Sequence, residues 1–200
     1  MRKVTPDELL PLGAYEQVRD RFRQRLIAHK RPRRIFLGPE MSLLFEDHDT
    51  VLLQVQEMLR AERISSPRGV RDELDVYNGL VPPDGALLAT LMIELEDPAL
   101  RERRRREYVG LDAHVHFALG VHVAHAEMDP EGRFDDRISA VRYVTFRMPE
   151  GARAMLLDGS VPARIYADHP RYQAEVVLTE ATRAALAEDL ANENAENARG

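Results

Sequence analysis

The sequence predicts an α+β fold. Residues 1–190 read as a single domain in which a mixed or antiparallel sheet packs against a central polar-lined helix and peripheral helices. Three observations carry this. Apolar residues recur at helical spacing through much of the first 110 positions. After Gly110 the chain turns rich in Val, Ile, Tyr and Phe, in short runs bounded by turn residues. In that half strands outnumber crossover helices, which disfavours a doubly wound parallel sheet.

Taken in order, Thr5-Pro6-Asp7-Glu8 combines a capping box with proline at the first helical position, so a short helix starts there. A longer helix fits residues 14–30, with Tyr15, Val18, Phe22 and Leu26 as its buried stripe, and Pro32 ends it. Residues 34–37 and 42–45 read as short strands joined through Gly38-Pro39. Asp49 or Thr50 then caps a helix to about Ile64. Pro67 opens another helix that stops at Tyr77-Asn78-Gly79, and VPPDG is a turn. Residues 87–95 form an interior strand, and Asp97-Pro98 starts a helix through RERRRREYVG. Segments 113–127, 138–147, 161–167 and 173–178 are strands, interrupted by a helix over 150–158. Thr179 caps a last helix to about Leu190, and residues 191–200 form a polar, fraying tail.

The chain has no cysteine, which excludes disulfides, a thiolate nucleophile and cysteine ligation of zinc or an iron–sulfur cluster. No apolar run approaches the ~18 residues that span a bilayer, and MRKVTPDELL carries no export signal, so a cytoplasmic location is expected. The net charge of −6 is unevenly spread. Residues 1–40 hold ten Lys/Arg and five Asp/Glu, a balance of +5; of the totals of 28 and 34, the remainder keeps 18 and 29, a balance of −11. A basic arm on an acidic body suits an acidic partner, a nucleic acid or the protein's own surface.

The stretch LFEDHDTVLLQVQEMLRAERI sets polar groups into an apolar helix. On a helical wheel Val51, Leu52, Val55, Met58 and Leu59 form a core stripe with Glu62 at its centre, and Leu53 and Ile64 form a patch on the far side. A lone carboxylate in that stripe costs several kcal/mol unless it is paired or the helix has already left the core. Gln56 and Glu57 can both reach Arg60. Glu46, Gln54, Gln56, Glu57, Arg60 and Glu62 thus form either a ligand- or metal-binding polar cluster or a set of pairs that fixes how helix and sheet dock.

AHVHFALGVHVAHAE places His114, His116, His122 and His125 within twelve residues. Imidazoles bind Zn, Fe or Ni, and His-x-His on a strand points both rings to one face. If Leu119-Gly120 is a hairpin turn, His114 pairs across from His125 with His116 beside them. If the chain runs straight, His122 joins His114 and His116 instead. Glu127 or Asp129 is near enough to add a carboxylate. The helical His-Glu-x-x-His zinc signature is absent, and such a pattern also suits an ordinary half-exposed strand.

HKRPRR (29–34) is a compact anion candidate at a helix end, without the interleaved aromatics of a nucleic-acid motif. In RERRRRE the arginines wind around a helix and read as solvated. No Gly-rich phosphate loop or Gly-x-Ser-x-Gly elbow occurs. Asp168-His169-Pro170 reads first as a turn between strands.

The segments VTPDELL, YEQVRDRFR, HKRPRR, LGPEMSLLFE, QVQEMLRAERI, ELDVYNGLVP, ATLMIELED and DHPRYQAEVVL together resemble an uncharacterised bacterial family, domain of unknown function three-five-zero-one. The resemblance spans nearly the whole chain and is most specific at LLFED and QVQEMLRAER, matched by the six polar residues above. The histidine-rich stretch lies outside that pattern. The family's gene setting, beside rubrerythrin-like di-iron proteins and an iron–sulfur oxidoreductase, implies an accessory role in iron-dependent redox chemistry or peroxide defence. Three functions follow as expectations. The first is an accessory or binding protein whose partner is a di-iron or iron–sulfur redox protein, with no cofactor of its own. The second is a His/carboxylate metalloenzyme using Zn or Fe, and the third an RNA-binding protein using residues 29–34.

Overall fold

Eight strands make one sheet: Arg34–Leu37 (β1), Met41–Phe45 (β2), Ala86–Ile93 (β3), Val115–Leu119 (β4), His122–Met128 (β5), Val141–Arg147 (β6), Ala163–His169 (β7) and Tyr172–Val177 (β8). The computed structural model describes residues 1–129, 134 and 136–197. The strand order is β1-β2-β3-β6-β5-β4-β7-β8, and every pairing is antiparallel. The sheet curls until its two edge strands meet, giving a nearly closed barrel, a closure that the strand pattern alone does not predict. Tyr172 bridges the seam: its hydroxyl donates to the Leu37 carbonyl and accepts from the Glu40 N–H at 3.4 Å. Gly38 makes this approach possible. Its φ is +69°, and a Cβ there would lie 2.5 Å from the Tyr172 hydroxyl and 3.0 Å from the Ala174 Cβ.

Strand alternation fills the barrel. Leu43 and Phe45, Leu87 to Leu91 at alternate positions, Phe117, Phe146 and Ile165 point inward. The rings of Phe45, Phe117 and Phe146 lie 5.8–6.3 Å apart at its centre. Ala152 and Leu156 of helix Glu150–Asp158 (α5) and Leu186 and Leu190 of helix Glu180–Asn197 (α6) complete this core.

Leu88 faces the other way and belongs to a second, smaller core outside the sheet. There Val51, Val55 and Leu59 of helix His48–Ala61 (α2) pack with Val4, Leu80, Val81 and Leu74 of helix Pro67–Tyr77 (α3). Helix Leu12–Lys30 (α1) lies against α2, and helix Pro98–Glu107 (α4) links the two halves of the chain.

Several predicted details change. The N-cap of α2 is Asp47, whose carboxylate accepts from the Thr50 N–H at 2.8 Å while the Asp47 N–H donates to the Thr50 hydroxyl at 2.9 Å. Asp49 and Thr50 already lie inside the helix. Thr5-Pro6-Asp7-Glu8 gives only a 3-10 turn over Pro6–Glu8. In the α1 stripe Tyr15 and Leu26 are buried but Val18 is 41 % exposed, because α2 covers only one side of the helix. Segment 113–127 is two strands: Leu119 pairs with His122, so Gly120, at φ +56°, and Val121 make the turn. Helix α6 continues to Asn197, past the predicted end at Leu190, and residues 198–200 of the predicted tail lie outside the described residues.

Candidate functional site

The six polar residues around α2 go to separate partners. Glu46 is 1 % exposed at the end of β2; it accepts from the Thr90 hydroxyl at 2.6 Å and from Gln54 Nε2 at 3.3 Å. Gln56 holds the chain before α1, accepting from the Leu10 N–H at 2.8 Å and donating to the Leu10 carbonyl at 3.0 Å. Glu57 accepts from Arg19 through two nitrogens at 2.7 and 2.8 Å and from the Tyr15 hydroxyl at 2.5 Å. The Arg19 guanidinium, foremost, holds the Glu57 carboxyl down to about 2. Arg60 pairs with Glu16 at 2.6 Å rather than with Gln56 or Glu57. Glu62 caps the C-terminus of α2 and is exposed, the helix having left the core one residue earlier. Only Glu46 and Gln54 are brought together. The other contacts tie α2 to α1 and to the segment before it, and each satisfies a polar group that docking would otherwise strand.

The basic stretch 29–34 divides in two. His29 and Arg33 turn inward. Arg33, 3 % exposed, donates to Asp189 of α6 at 2.9 Å and lies 3.0 Å from Asp47, while His29 lies 2.5 Å from Asp47. One guanidinium thus joins the N-cap of α2 to the helix that fills the barrel. Burial raises Asp189 to about 6, more than Arg33 lowers it. Burial also pushes Asp47 upward, but His29, Arg33 and the Thr50 N–H outweigh it and hold that carboxyl below its ordinary value.

Lys30, Arg31 and Arg34 turn outward. With Gln24, Ile27, Ala28, Phe36 and Leu44 they line a groove of about 760 Å³ between α1 and the outer face of β1–β2. Ile27 and Phe36 are 64 % and 60 % exposed. Arg34 pairs with Glu94; among the described residues Lys30 and Arg31 form no ion pair. The signal for this groove was in the sequence, as apolar Ile27 and Phe36 flanking the basic run, but which face each took depends on the seam between helix and sheet.

The histidines sit on a third surface, the outer face of β5–β4–β7. His116 lies directly across from His125, and their Nδ1 atoms are 2.9 Å apart. The carboxylate that reaches these rings is Asp168 of β7, whose Oδ1 accepts from His114 Nδ1 at 2.8 Å and from His116 Nε2 at 3.2 Å. His114 and then His116 hold Asp168 below the ordinary aspartate value. Tyr166 packs on His116 at 4.7 Å between ring centroids, and His116 is only 5 % exposed. His122 does not join them: opposite Leu119 it turns to the other face and packs against Gly151 of α5. Glu127 pairs with Arg147 instead. Among the described residues no three His, Asp or Glu side chains stand as a ready metal-holding group. The role of Asp168 depends on β7 pairing with β4, which nothing local in Asp-His-Pro announces. Of the α4 arginines, Arg105 and Arg106 pair with Glu102 of the same helix, and Arg104 pairs with Glu107 of that helix and with the distant Glu40.

Fold and surfaces define an α+β protein built on a nearly closed antiparallel sheet, with no nucleophile elbow or phosphate loop. The chain belongs to the family described as protein of unknown function DUF3501, whose model matches residues 3–190. It is similar to a novel protein of unknown function from Burkholderia pseudomallei K96243, solved as a crystal structure. The two share 34 % identity at a TM-score of 0.87, covering 94 % of this chain and all of that one. No curated protein matches the chain. Among the described residues no helix is long and apolar enough to cross a membrane.

Proposed function

We propose that this is a binding protein, and that the groove between α1 and β1–β2 receives an acidic segment of a partner protein carrying one or two large apolar side chains. The observation that supports this is the pairing, on one surface, of exposed Ile27 and Phe36 with Lys30 and Arg31, which no carboxylate among the described residues neutralises. The apolar pair supplies area to bury, at about 25 cal/mol per Å². The cations supply attraction and register for a negative strand or helix. A nucleic-acid backbone would use the cations alone and leave Ile27 and Phe36 wet. Two of the five basic residues of the run, His29 and Arg33, are also committed to Asp47 and Asp189. For both reasons an acidic peptide fits the groove better than RNA.

The test titrates the full chain with three probes: a peptide alternating glutamate and leucine, a polyglutamate of equal charge, and a single-stranded RNA oligomer. The Glu/Leu peptide should bind most tightly, and Ile27→Ser with Phe36→Ser should weaken it at least tenfold with the fold intact. Equal binding of all three probes, indifferent to those substitutions, would reject the reading. The first natural partners to try are the di-iron and iron–sulfur redox proteins that the gene setting implies.

A further inference from the structure

We infer that the outer face of β4–β7 binds one divalent first-row transition ion through His114, His116 and Asp168, with His125 positioning His116. His116 lies on β4, Asp168 on β7 and His114 immediately before β4. The two strands are held in fixed register, Val115 opposite Ala167 and His116 opposite Tyr166, and the Asp168 N–H donates to the His114 carbonyl at 3.1 Å. Two ligands of one ion, each at roughly 2.1 Å, lie about 3 Å apart. The Nδ1 of His114 and the Nε2 of His116 are 2.8 and 3.2 Å from the same oxygen of Asp168. As the side chains stand, protons occupy the space between these donors, so they form a hydrogen-bonded trio rather than an open cage. An ion takes the place of two shared protons.

Proton balance is simple for neutral rings. The Nδ1 proton of His114 leaves and another settles on its Nε2. His116 gives up its Nε2 proton and takes one on Nδ1 from His125, which is reprotonated on its outer nitrogen. No net proton is released. A ligating imidazole usually donates its other N–H to a partner that fixes the ring, and His125, 2.9 Å from His116 Nδ1, is placed to receive it. Tyr166 packs against the same ring and restricts its rotation. Two imidazoles and one carboxylate suit Fe, Zn, Mn, Co or Ni rather than Ca or Mg, and a three-residue set leaves coordination positions open. Asp168, half exposed, faces solvent, so an ion has a path in. The histidine surface is separate from the groove, and a partner bound in the groove touches none of these ligands.

The test uses the full-length chain without an affinity tag, stripped with a chelator and titrated with Co²⁺, followed by d–d absorption and by metal content after gel filtration. One Co²⁺ per chain is expected. Asp168→Asn and His114→Ala, at partly exposed positions, should each weaken binding at least tenfold. His125→Ala should weaken it less and shift the d–d bands, while His122→Ala should change neither. Circular dichroism confirms that each variant is folded. Absence of saturable uptake at micromolar Co²⁺ overturns the inference, as does uptake that Asp168→Asn and His114→Ala leave unchanged.

Discussion

Asp189→Asn is the sharpest probe of how the fold is held. Asp189 shares the buried Arg33 with Asp47, so two carboxylates compete for one guanidinium. Its folded value is raised to about 6 from 3.8, first by burial. A group raised in this way stabilises the fold in its protonated form. The contribution is complete below about 3.8 and is lost as pH rises through about 6. Each unit is worth 1.36 kcal/mol, so the contribution amounts to ~3 kcal/mol. Asparagine keeps an oxygen for Arg33 and carries no charge at any pH. Relative to the parent, the variant should therefore gain up to ~3 kcal/mol between about pH 4 and pH 7. Contributions of Glu57 and His29 are common to both chains and cancel to first order. Urea unfolding at several pH values, with the slope m held in view, measures the difference. Parallel stability curves, or a variant that loses ground as pH rises, would refute the argument. Either result would mean that Arg33 keeps Asp189 ionised throughout and that its attraction exceeds the cost of burial.

Gly38→Ala should destabilise the protein by about 2 kcal/mol or more, from the positive φ and from contact with Tyr172, seen as a lower thermal midpoint. Tyr172→Phe should cost about 1–3 kcal/mol by leaving the Leu37 carbonyl without its donor, read from urea unfolding. Glu57→Gln, at a partly exposed pair, should cost about 1 kcal/mol at neutral pH. Because the folded Glu57 is lowered to about 2 from 4.5, that cost should shrink as pH falls below about 4.5 and vanish near 2, which unfolding at acid pH would show. Val55→Ala, at a fully buried position, should cost about 2 kcal/mol through the cavity it leaves, with the α2–α3 core loosened in hydrogen exchange.

The features legible in the amino-acid order are local. Periodicity marks the helices and strands, Pro67 and Pro98 mark helix starts, and Asp168-His169-Pro170 signals a turn, although Asp168 and His169 in fact close β7 and the chain turns at Pro170-Arg171. These follow from φ restriction and side-chain spacing, which act over a few residues. Tertiary structure alone decided the rest. It chose Arg19 rather than Arg60 for Glu57, brought Asp168 to His114 and His116, sent His122 to the opposite face, and turned Arg33 inward while Lys30 and Arg31 stayed in water. A shift of one residue in strand register reverses which side chains share a face, and register is set by packing across the whole sheet. Arg19 and Glu57 lie 38 residues apart along the chain and Arg33 and Asp189 lie 156 apart, so only the packing of distant elements brings each pair within hydrogen-bonding reach.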